Sequence, residues 1–340
     1  MTGILVEVRR GRFVESVHRG SVVVVDTAGT VLWSAGDPEM HTFMRSSAKP
    51  IQALAVVETG AYEAFGLTER ELAVMCGSHS GEPAHVETVL GILEKTGLSE
   101  AHLKCGTHRP VHRPSADELV RRGRQPTAVH CNCSGKHAGM LAVARHMGWS
   151  LDDYWREDHP VQRLCLENLA EVAGYPASGI GVAADGCGAA VFALPLRNMA
   201  LAFARMARPE DPCSGFPPER ASAASLVVRS MRAHPDMVAG TGRLCTALMT
   251  HTAVFAKGGA EAVYCLGVPE RGLGVAVKIE DGNYRAVGPV VLRVLEELGL
   301  LSPEAARALE GFARPLMKNH RGEVTGAIET VLRLRKELTA

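Results

Sequence analysis

Two stretches of strand-like sequence, one at each end of the chain, most constrain what it can fold into. Apolar and polar residues alternate through the first 34 residues, which is the period of a half-buried strand. Similar runs return after Gly179. The predicted strands cover residues 4–8, 21–26, 30–34, 180–183, 262–268 and 274–280.

Between these stretches the sequence carries the start signals of helices. Thr68 with Glu71 and Ser115 with Glu118 fit capping boxes, and Pro83 suits a first helical turn. Apolar periodicity predicts two more helices near the C-terminus, over residues 290–301 and 327–338. We therefore predict an α/β (α+β) fold in one domain, 1–340. Its mixed sheet comes from about 1–50 and 180–340 and is flanked by helices, with a helical region at about 50–178.

Charge and composition exclude several functional classes. The 37 basic residues balance the 37 acidic ones, and aromatic residues make up 5% of the chain, which argues against nucleic-acid binding. No apolar run reaches membrane-spanning length, so we expect a cytoplasmic protein with a small neutral or zwitterionic ligand. Nine cysteines in a chain of this length are more typical of free thiols or metal ligands than of disulfides.

The first candidate for catalysis is a serine with a lysine three residues later. Ser46 and Lys49 lie in the segment RSSAKP, where strands give way to a helix, so one helical turn would place them on one face. A lysine whose pKa is lowered by burial or by a nearby cation can take the proton of a serine hydroxyl. The alternative is a helix cap followed by an exposed lysine.

A second serine and lysine lie far apart in the sequence. Ser78 belongs to the turn CGSHSGEP, and Lys257 with Gly258 belongs to AKGGAE, just before the C-terminal strands. The second segment resembles the Lys-Thr-Gly element of penicillin-recognising enzymes, and its glycines let a ligand approach the backbone. A helix-to-helix turn and a surface lysine are the alternatives.

Two cysteine-containing loops are candidates for a metal site. The segment HCNCSGKH opens a helix, and DGCG follows the predicted strand at 180–183. Zinc prefers thiolate and imidazole ligands, so Cys133 and Cys187 could bind it with His130, His137 or an unprotonated Lys136, and Cys131 could compete. Spacing alone leaves this choice open, and two buried thiols beside a capping loop are the alternative.

Taken in chain order, these segments resemble the thermolabile, Rhizobium-etli-type L-asparaginases, a family similar in fold to serine β-lactamases and glutaminases. The resemblance spans nearly the whole chain. It depends on RSSAKP (45–50), GSHSGE (77–82), CSGKH (133–137), DGCG (185–188) and AKGG (256–259).

The resemblance implies a role for each matching residue. Two serine–lysine pairs would catalyse, two cysteines with a lysine would hold zinc, and further residues would bind L-asparagine. The implied residues are Ser46 with Lys49 and Ser78 with Lys257 for catalysis, Cys133, Lys136 and Cys187 for zinc, and Asp185, Arg45, His137 and Gly258 for the substrate. A homodimer is implied as well.

The resulting hypothesis is acyl transfer. Ser46, or Ser78 as the second choice, attacks the side-chain amide, lysines move the proton to the departing ammonia, and water releases aspartate. Another serine amidohydrolase of the β-lactamase or glutaminase type is the enzymatic alternative. A non-catalytic zinc- or thiol-binding protein is the alternative from another class.

Overall fold

The computed structural model describes residues 2–337. Its strands fall into an N-terminal group, a central group and a C-terminal group. In chain order they are β1 (Gly3–Arg10), β2 (Phe13–Val25), β3 (Val31–Ala35), β4 (His41–Phe43), β5 (Gly181–Ala184), β6 (Ala190–Pro195), β7 (Phe255–Gly259), β8 (Val263–Val268), β9 (Leu273–Ile279), β10 (Leu316–Lys318), β11 (Val324–Thr330) and β12 (Arg335–Lys336).

The helices α1 to α8 occupy the stretch between β4 and β5. Thr68 and Glu71 form the predicted capping box, and Pro83 begins its helix, whereas the helix expected at Ser115 begins two residues earlier. The helices are α1 (Lys49–Gln52), α2 (Leu54–Glu58), α3 (Ala61–Ala64), α4 (Glu69–Met75), α5 (Pro83–Lys95), α6 (Arg113–Arg121), α7 (Ser134–Met147), α8 (Pro160–Ala173), α9 (Leu196–Ala207), α10 (Pro218–Ala233), α11 (Pro235–Val238), α12 (Leu244–His251), α13 (Val287–Glu297) and α14 (Pro303–Ala313).

One large sheet joins the two ends of the chain, and the predicted α/β fold class is confirmed. Its strand order is β10-β11-β1-β2-β9-β8-β7, with β3 between β2 and β12. A small sheet of order β4-β6-β5 lies apart from it. Within residues 2–337 every described strand pair is antiparallel, so the prediction of a mixed sheet is wrong in this respect, because no described pair is parallel. Because β7 lies at one end of the large sheet, its outer edge is free to face the helices.

The centre of the large sheet is covered on both faces, since every residue of β8 and β9 is buried. Helix α9 packs on β8 and β9. The glycine pair Gly267 and Gly274 lies beneath it, and a Cβ at Gly274 would lie 1.9 Å from the carbonyl oxygen of Ala200. Because glycine has no side chain, α9 can approach the sheet closely at this pair.

The C-terminal prediction of a helix over 327–338 is wrong, whereas the helix predicted at 290–301 corresponds to α13. Residues 324–330 form β11, in which Ile328 pairs with Val8 of β1. Apolar spacing in this segment fits a helix as well as a strand, and the open edge of β1 decides between them. Residue 338 lies outside the described residues.

The small sheet shows a second difference from the sequence-based prediction. The strand expected at 180–183 is present as β5, but it pairs with β6, where the sequence predicted no strand.

Among residues 2–337, no helix is long and apolar enough to cross a bilayer.

Candidate active site

Ser78 lies between two buried lysines. It follows the end of α4, and its backbone N–H donates to the carbonyl of Val238 at 2.9 Å, which fixes the loop. Lys49 at the start of α1 donates to Ser78 Oγ at 2.9 Å, and Lys257 in the middle of β7 donates to the same oxygen at 3.0 Å. The structure thus brings Ser78 and Lys257 together across 179 positions, and it adds Lys49 to them.

All three protons of the Lys49 ammonium have acceptors. Besides Ser78 Oγ, the Nζ atom contacts the carbonyl of Gly77 at 2.6 Å and the Sγ of Cys133 at 3.3 Å. An ammonium has three donors and no acceptor. Lys49 therefore fits its surroundings as a cation, with no free lone pair to act as a base.

Lys257 has a different environment. Its Nζ donates to Ser78 Oγ and, at 2.6 Å, to the carbonyl of Gly258. Burial lowers the pKa of Lys257 to about 7, and the nearby cations Lys49 and Arg243 act in the same direction. Near neutral pH, a large fraction of Lys257 is a neutral amine that can accept a proton.

Ser46 lies beside this group without joining its hydrogen bonds. It is half-buried on the short 3₁₀ turn Arg45–Ala48, and among residues 2–337 its hydroxyl has no hydrogen-bond partner, Lys49 included. A Cβ at Gly259 of β7 would lie 3.2 Å from the Ser46 nitrogen, so β7 approaches this turn closely. As the second residue of the turn, Ser46 has a backbone N–H without an intrahelical acceptor.

We use the term serine region for Ser46, Lys49, Ser78 and Lys257. The spacing of Ser46 and Lys49 predicts that these two side chains interact. In this structure Lys49 instead donates to Ser78, because the helical turn directs the lysine side chain towards the Ser78 loop.

Asp185 and Arg45 form an ion pair next to Ser46. Both Nε and Nη2 of Arg45 contact Asp185 Oδ1, at 3.0 and 2.9 Å, and the backbone N–H of Gly186 donates to the same oxygen at 2.9 Å. Arg45 has a φ of 49°, in the left-handed region that a non-glycine residue rarely adopts. Within residues 2–337, Oδ2 of Asp185 has no hydrogen-bond donor, so it can receive an ammonium group.

Cys133, Lys136 and Cys187, which we call the thiol region, lie on the other side of Lys49. Helix α7 places the first two, and the turn between β5 and β6 places Cys187. A Cβ at Gly135 would lie 2.3 Å from the carbonyl oxygen of Val74, so this glycine lets α7 pack tightly on α4. Lys136 Nζ donates to Cys187 Sγ at 3.2 Å.

The charges of the thiol region depend on one another. Hydrogen bonds from the thiols of Cys131 and Cys187 lower the pKa of Cys133 well below its ordinary value, and the nearby lysine ammonium groups add to this effect. Burial disfavours the Lys136 ammonium, yet the sulfur atoms of Cys187 and Cys133 and the Asp185 carboxylate outweigh burial and raise its pKa. Thiolate and ammonium therefore stabilise each other in this region.

The donors of the thiol region fit a zinc ion. Two sulfur atoms and one amine converge from two segments, and a bound zinc ion would displace the thiol proton of Cys187 and one proton of Lys136. No cluster of three or more His, Cys, Asp or Glu side chains suited to a metal is found from residue 2 to residue 337, so the third donor would have to be Lys136. His130 lies elsewhere, with its Nδ1 accepting the backbone N–H of Thr127 at 3.0 Å.

His137 is fully buried on α7, next to Lys136. Its Nδ1 lies 2.7 Å from the Tyr154 hydroxyl, and its Nε2 has no hydrogen-bond partner among the described residues. Burial lowers the pKa of His137 to about 3. The imidazole is therefore neutral near neutral pH.

Sequence reasoning missed the residues that support β7. The Gly258 N–H donates to Cys245 Sγ at 3.3 Å, and the Tyr264 hydroxyl donates to the same sulfur at 3.3 Å. Arg243, whose charge acts on Lys257, contacts Ser80 Oγ at 3.4 Å. Cys245 lies in a plain apolar helix, and only its tertiary position next to Gly258 connects it with the site.

The L-asparaginase II family matches residues 6–330 of the chain. No curated protein sequence matches it. Among solved structures, Mglu in its native form is 16% identical with a TM-score of 0.49, and the match covers 83% of this chain and 65% of Mglu. The chain thus spans slightly less than two thirds of Mglu.

Two further solved structures are similar over the same share of this chain. A β-lactamase from Mycobacterium bovis is 15% identical, with a TM-score of 0.42 and 95% of its length covered. A Bacillus glutaminase is 14% identical, with a TM-score of 0.38 and 91% of its length covered.

Proposed function

This chain belongs to the L-asparaginase II family, and we propose that it hydrolyses the side-chain amide of L-asparagine to L-aspartate and ammonia. Family membership supports an amidohydrolase of the asparaginase type. The observation that carries the catalytic proposal is the convergence of Lys49 and Lys257 on Ser78, with Lys257 close to half-neutral at pH 7.

The substrate's charged groups would bind at the ion pair beside Ser46. The free Oδ2 of Asp185 suits the α-ammonium group. Arg45 uses Nε and Nη2 for Asp185, which leaves its Nη1 for the α-carboxylate. Held at both groups, the side-chain amide of asparagine would extend towards Ser46.

Ser46 is the proposed nucleophile, because its hydroxyl has no hydrogen-bond partner in the part of the chain that the structure describes and is free to reach the substrate. It attacks the amide carbon, its proton passes to Ser78, and the Ser78 proton passes to the neutral Lys257 amine. The Ser46 N–H at the start of its turn is a candidate donor for the developing oxyanion. Removal of one such donor typically raises the barrier by about 3 kcal/mol.

Ser78 suits the role of a proton carrier better than that of a nucleophile. Its oxygen accepts a hydrogen bond from Lys49, and when Lys257 is neutral the Ser78 proton can point to the Lys257 nitrogen, 3.0 Å away. One lone pair of Ser78 Oγ then remains for the proton of Ser46. Collapse of the intermediate breaks the C–N bond, and the proton on Lys257 returns through Ser78 to the departing ammonia. Water then attacks the aspartyl ester by the same route in reverse.

Cys133, Lys136 and Cys187 would hold zinc. A bound zinc ion supplies Lewis acidity and fixes the positions of its ligands. In the chain itself, the Cys133 sulfur accepts a hydrogen bond from Lys49 and so helps to hold that lysine against Ser78. The thiol region would therefore support the serine region even without taking part in a proton transfer.

The test is ammonia release by the purified protein from L-asparagine, with L-glutamine as the second substrate. We expect release from asparagine and a much slower reaction with glutamine. Preference for glutamine would favour another amidohydrolase, and zinc binding without ammonia release from either substrate would favour a binding protein.

Analytical ultracentrifugation of the same sample tests the homodimer, which is proposed from the sequence resemblance alone.

A further inference from the structure

The hydrogen bonds of Tyr154 determine what His137 offers to the site. Tyr154 is fully buried, and its hydroxyl contacts two groups: the backbone N–H of Lys104 at 2.9 Å and the Nδ1 of His137 at 2.7 Å. The two rings meet edge to face, with centroids 5.4 Å apart. Among residues 2–337, no other group forms a hydrogen bond with this hydroxyl.

The single proton of the Tyr154 hydroxyl has one acceptor within reach. A backbone N–H can only donate, so Lys104 cannot receive the proton, and Nδ1 of His137 must do so. A buried hydroxyl without an acceptor would destabilise the fold. The proton of the neutral imidazole is therefore on Nε2.

The Nε2–H group is a buried donor beside both regions of the site. His137 lies one helical turn after Cys133, whose carbonyl accepts the His137 backbone N–H at 3.0 Å. The charged groups of Lys136, Cys133 and Lys49 all lie close enough to the imidazole ring to influence its pKa. Buried N–H groups in folded proteins are almost always paired, and this one has no partner among the described residues.

We propose that Tyr154 is a positioning residue that holds His137 in its Nε2–H form, so that His137 donates a hydrogen bond to an oxygen acceptor in the active site. That oxygen belongs to the bound substrate or to an ordered water. This inference rests on the proposed function for its kinetic consequences. It also excludes His137 as a zinc ligand, because a protonated Nε2 has no lone pair to give.

The direct test is the tautomer of His137, read from long-range ¹H–¹⁵N correlations in protein labelled with ¹⁵N-histidine. The His137 signals are identified by their loss in His137→Gln. We expect the Nε2–H pattern in the wild type and a change in the pattern in Tyr154→Phe. An Nδ1–H pattern in the wild type would overturn the inference, whatever the protein's substrate proves to be.

The kinetic test uses two matched substitutions of His137. Glutamine can place an N–H where Nε2 lies, whereas asparagine can reach only the position of Nδ1. With L-asparagine as substrate, we expect the loss of kcat/KM in His137→Asn to exceed the loss in His137→Gln by at least about tenfold. Equal losses in the two variants would contradict a donor at Nε2.

A double substitution separates positioning from a general structural role. Tyr154→Phe should lower kcat/KM in the wild type but have little further effect in His137→Gln, because glutamine needs no partner to fix its N–H. An equal loss in both backgrounds would show that Tyr154 acts only on the fold. If the acceptor is a substrate oxygen, His137→Asn should slow formation of the acyl-enzyme; if it is the hydrolytic water, the acyl-enzyme should form at the wild-type rate and accumulate.

Discussion

Lys257 in the serine region and Lys136 in the thiol region are both almost fully buried, with 2% and 5% exposure, yet their charges differ. The pKa of Lys257 falls to about 7, because burial is reinforced by the neighbouring cations Lys49 and Arg243. The pKa of Lys136 rises, because the Cys133 thiolate, the Cys187 sulfur and Asp185 outweigh burial. Burial alone therefore does not set the charge of a lysine. Its neighbours decide whether it serves as a base or as a counter-ion.

The largest expected effect is at the nucleophile of the serine region. Ser46→Ala should lower kcat for L-asparagine by about 10⁴-fold or more, since no acyl-enzyme can form. Ser47→Ala is the matched control, because Ser47 is buried and bonded to the Met44 carbonyl, outside the site. Steady-state ammonia release measures both, and a Ser46→Ala enzyme that keeps most of its activity would refute this assignment.

Removal of the neutral lysine should have the next largest effect. Lys257→Met takes away the proposed base and should lower kcat/KM by about 10²- to 10⁴-fold. Lys278→Met is its control, because Lys278 is also a buried lysine with a lowered pKa, yet it donates to backbone carbonyls and does not contact Ser78. Similar losses in the two variants would indicate a general effect of removing a buried lysine.

The thiol region is tested by metal binding. Cys187→Ser should weaken zinc binding by about a hundredfold or more, whereas Cys213→Ser, at an exposed cysteine, should leave it unchanged. Competition with a chromophoric chelator measures the affinity. Equal zinc affinity in both variants would mean that the thiol region is not the metal site.

The lowered pKa of Lys257 also predicts a pH profile. Only the neutral amine can act as a base, so kcat/KM should rise with pH through about 7 and fall about tenfold for each pH unit below it. Initial rates between pH 5 and 9 in buffers of constant ionic strength measure this limb. If an acid limb persists at the same pH in Lys257→Met, it belongs to another group.

The last prediction concerns stability and not activity. The folded-state pKa of Lys257 is about 7 and its ordinary value is 10.5, so between these values the unfolded chain binds more protons, and the stability of the wild type should rise with pH. Lys257→Met should reduce this slope and remove a penalty on the order of 4 kcal/mol at pH 7. Urea unfolding at pH 7 and pH 10 measures both, and parallel pH dependences would contradict the buried-lysine account.

The sequence could predict the parts of the fold that depend on local signals. The capping box at Thr68 and the strands before and after the helical stretch follow from neighbouring residues. The strand at 324–330 could not be recognised, because its partner β1 lies more than 300 residues earlier in the chain. The choice between helix and strand is made there by a long-range pairing that no local pattern contains.

The candidate site shows the same limit. The motifs identify the serines, lysines and cysteines, but their spacing pairs Lys49 with Ser46, whereas the fold directs Lys49 to Ser78. Cys245 and Tyr154 belong to no motif, since they act by contacting Gly258 and His137 from other elements. Residue types could be predicted from sequence, and hydrogen-bond partners required the tertiary structure.

The most direct test of the central claim is to identify the acylated residue. L-Asparagine is mixed with the enzyme, the reaction is stopped in acid before the first turnover is complete, and peptides are mapped by mass spectrometry. The account predicts one aspartyl group on the peptide that contains Ser46, at the Ser46 side chain. An aspartyl group on Ser78, or turnover of asparagine without any acylated serine, would contradict it.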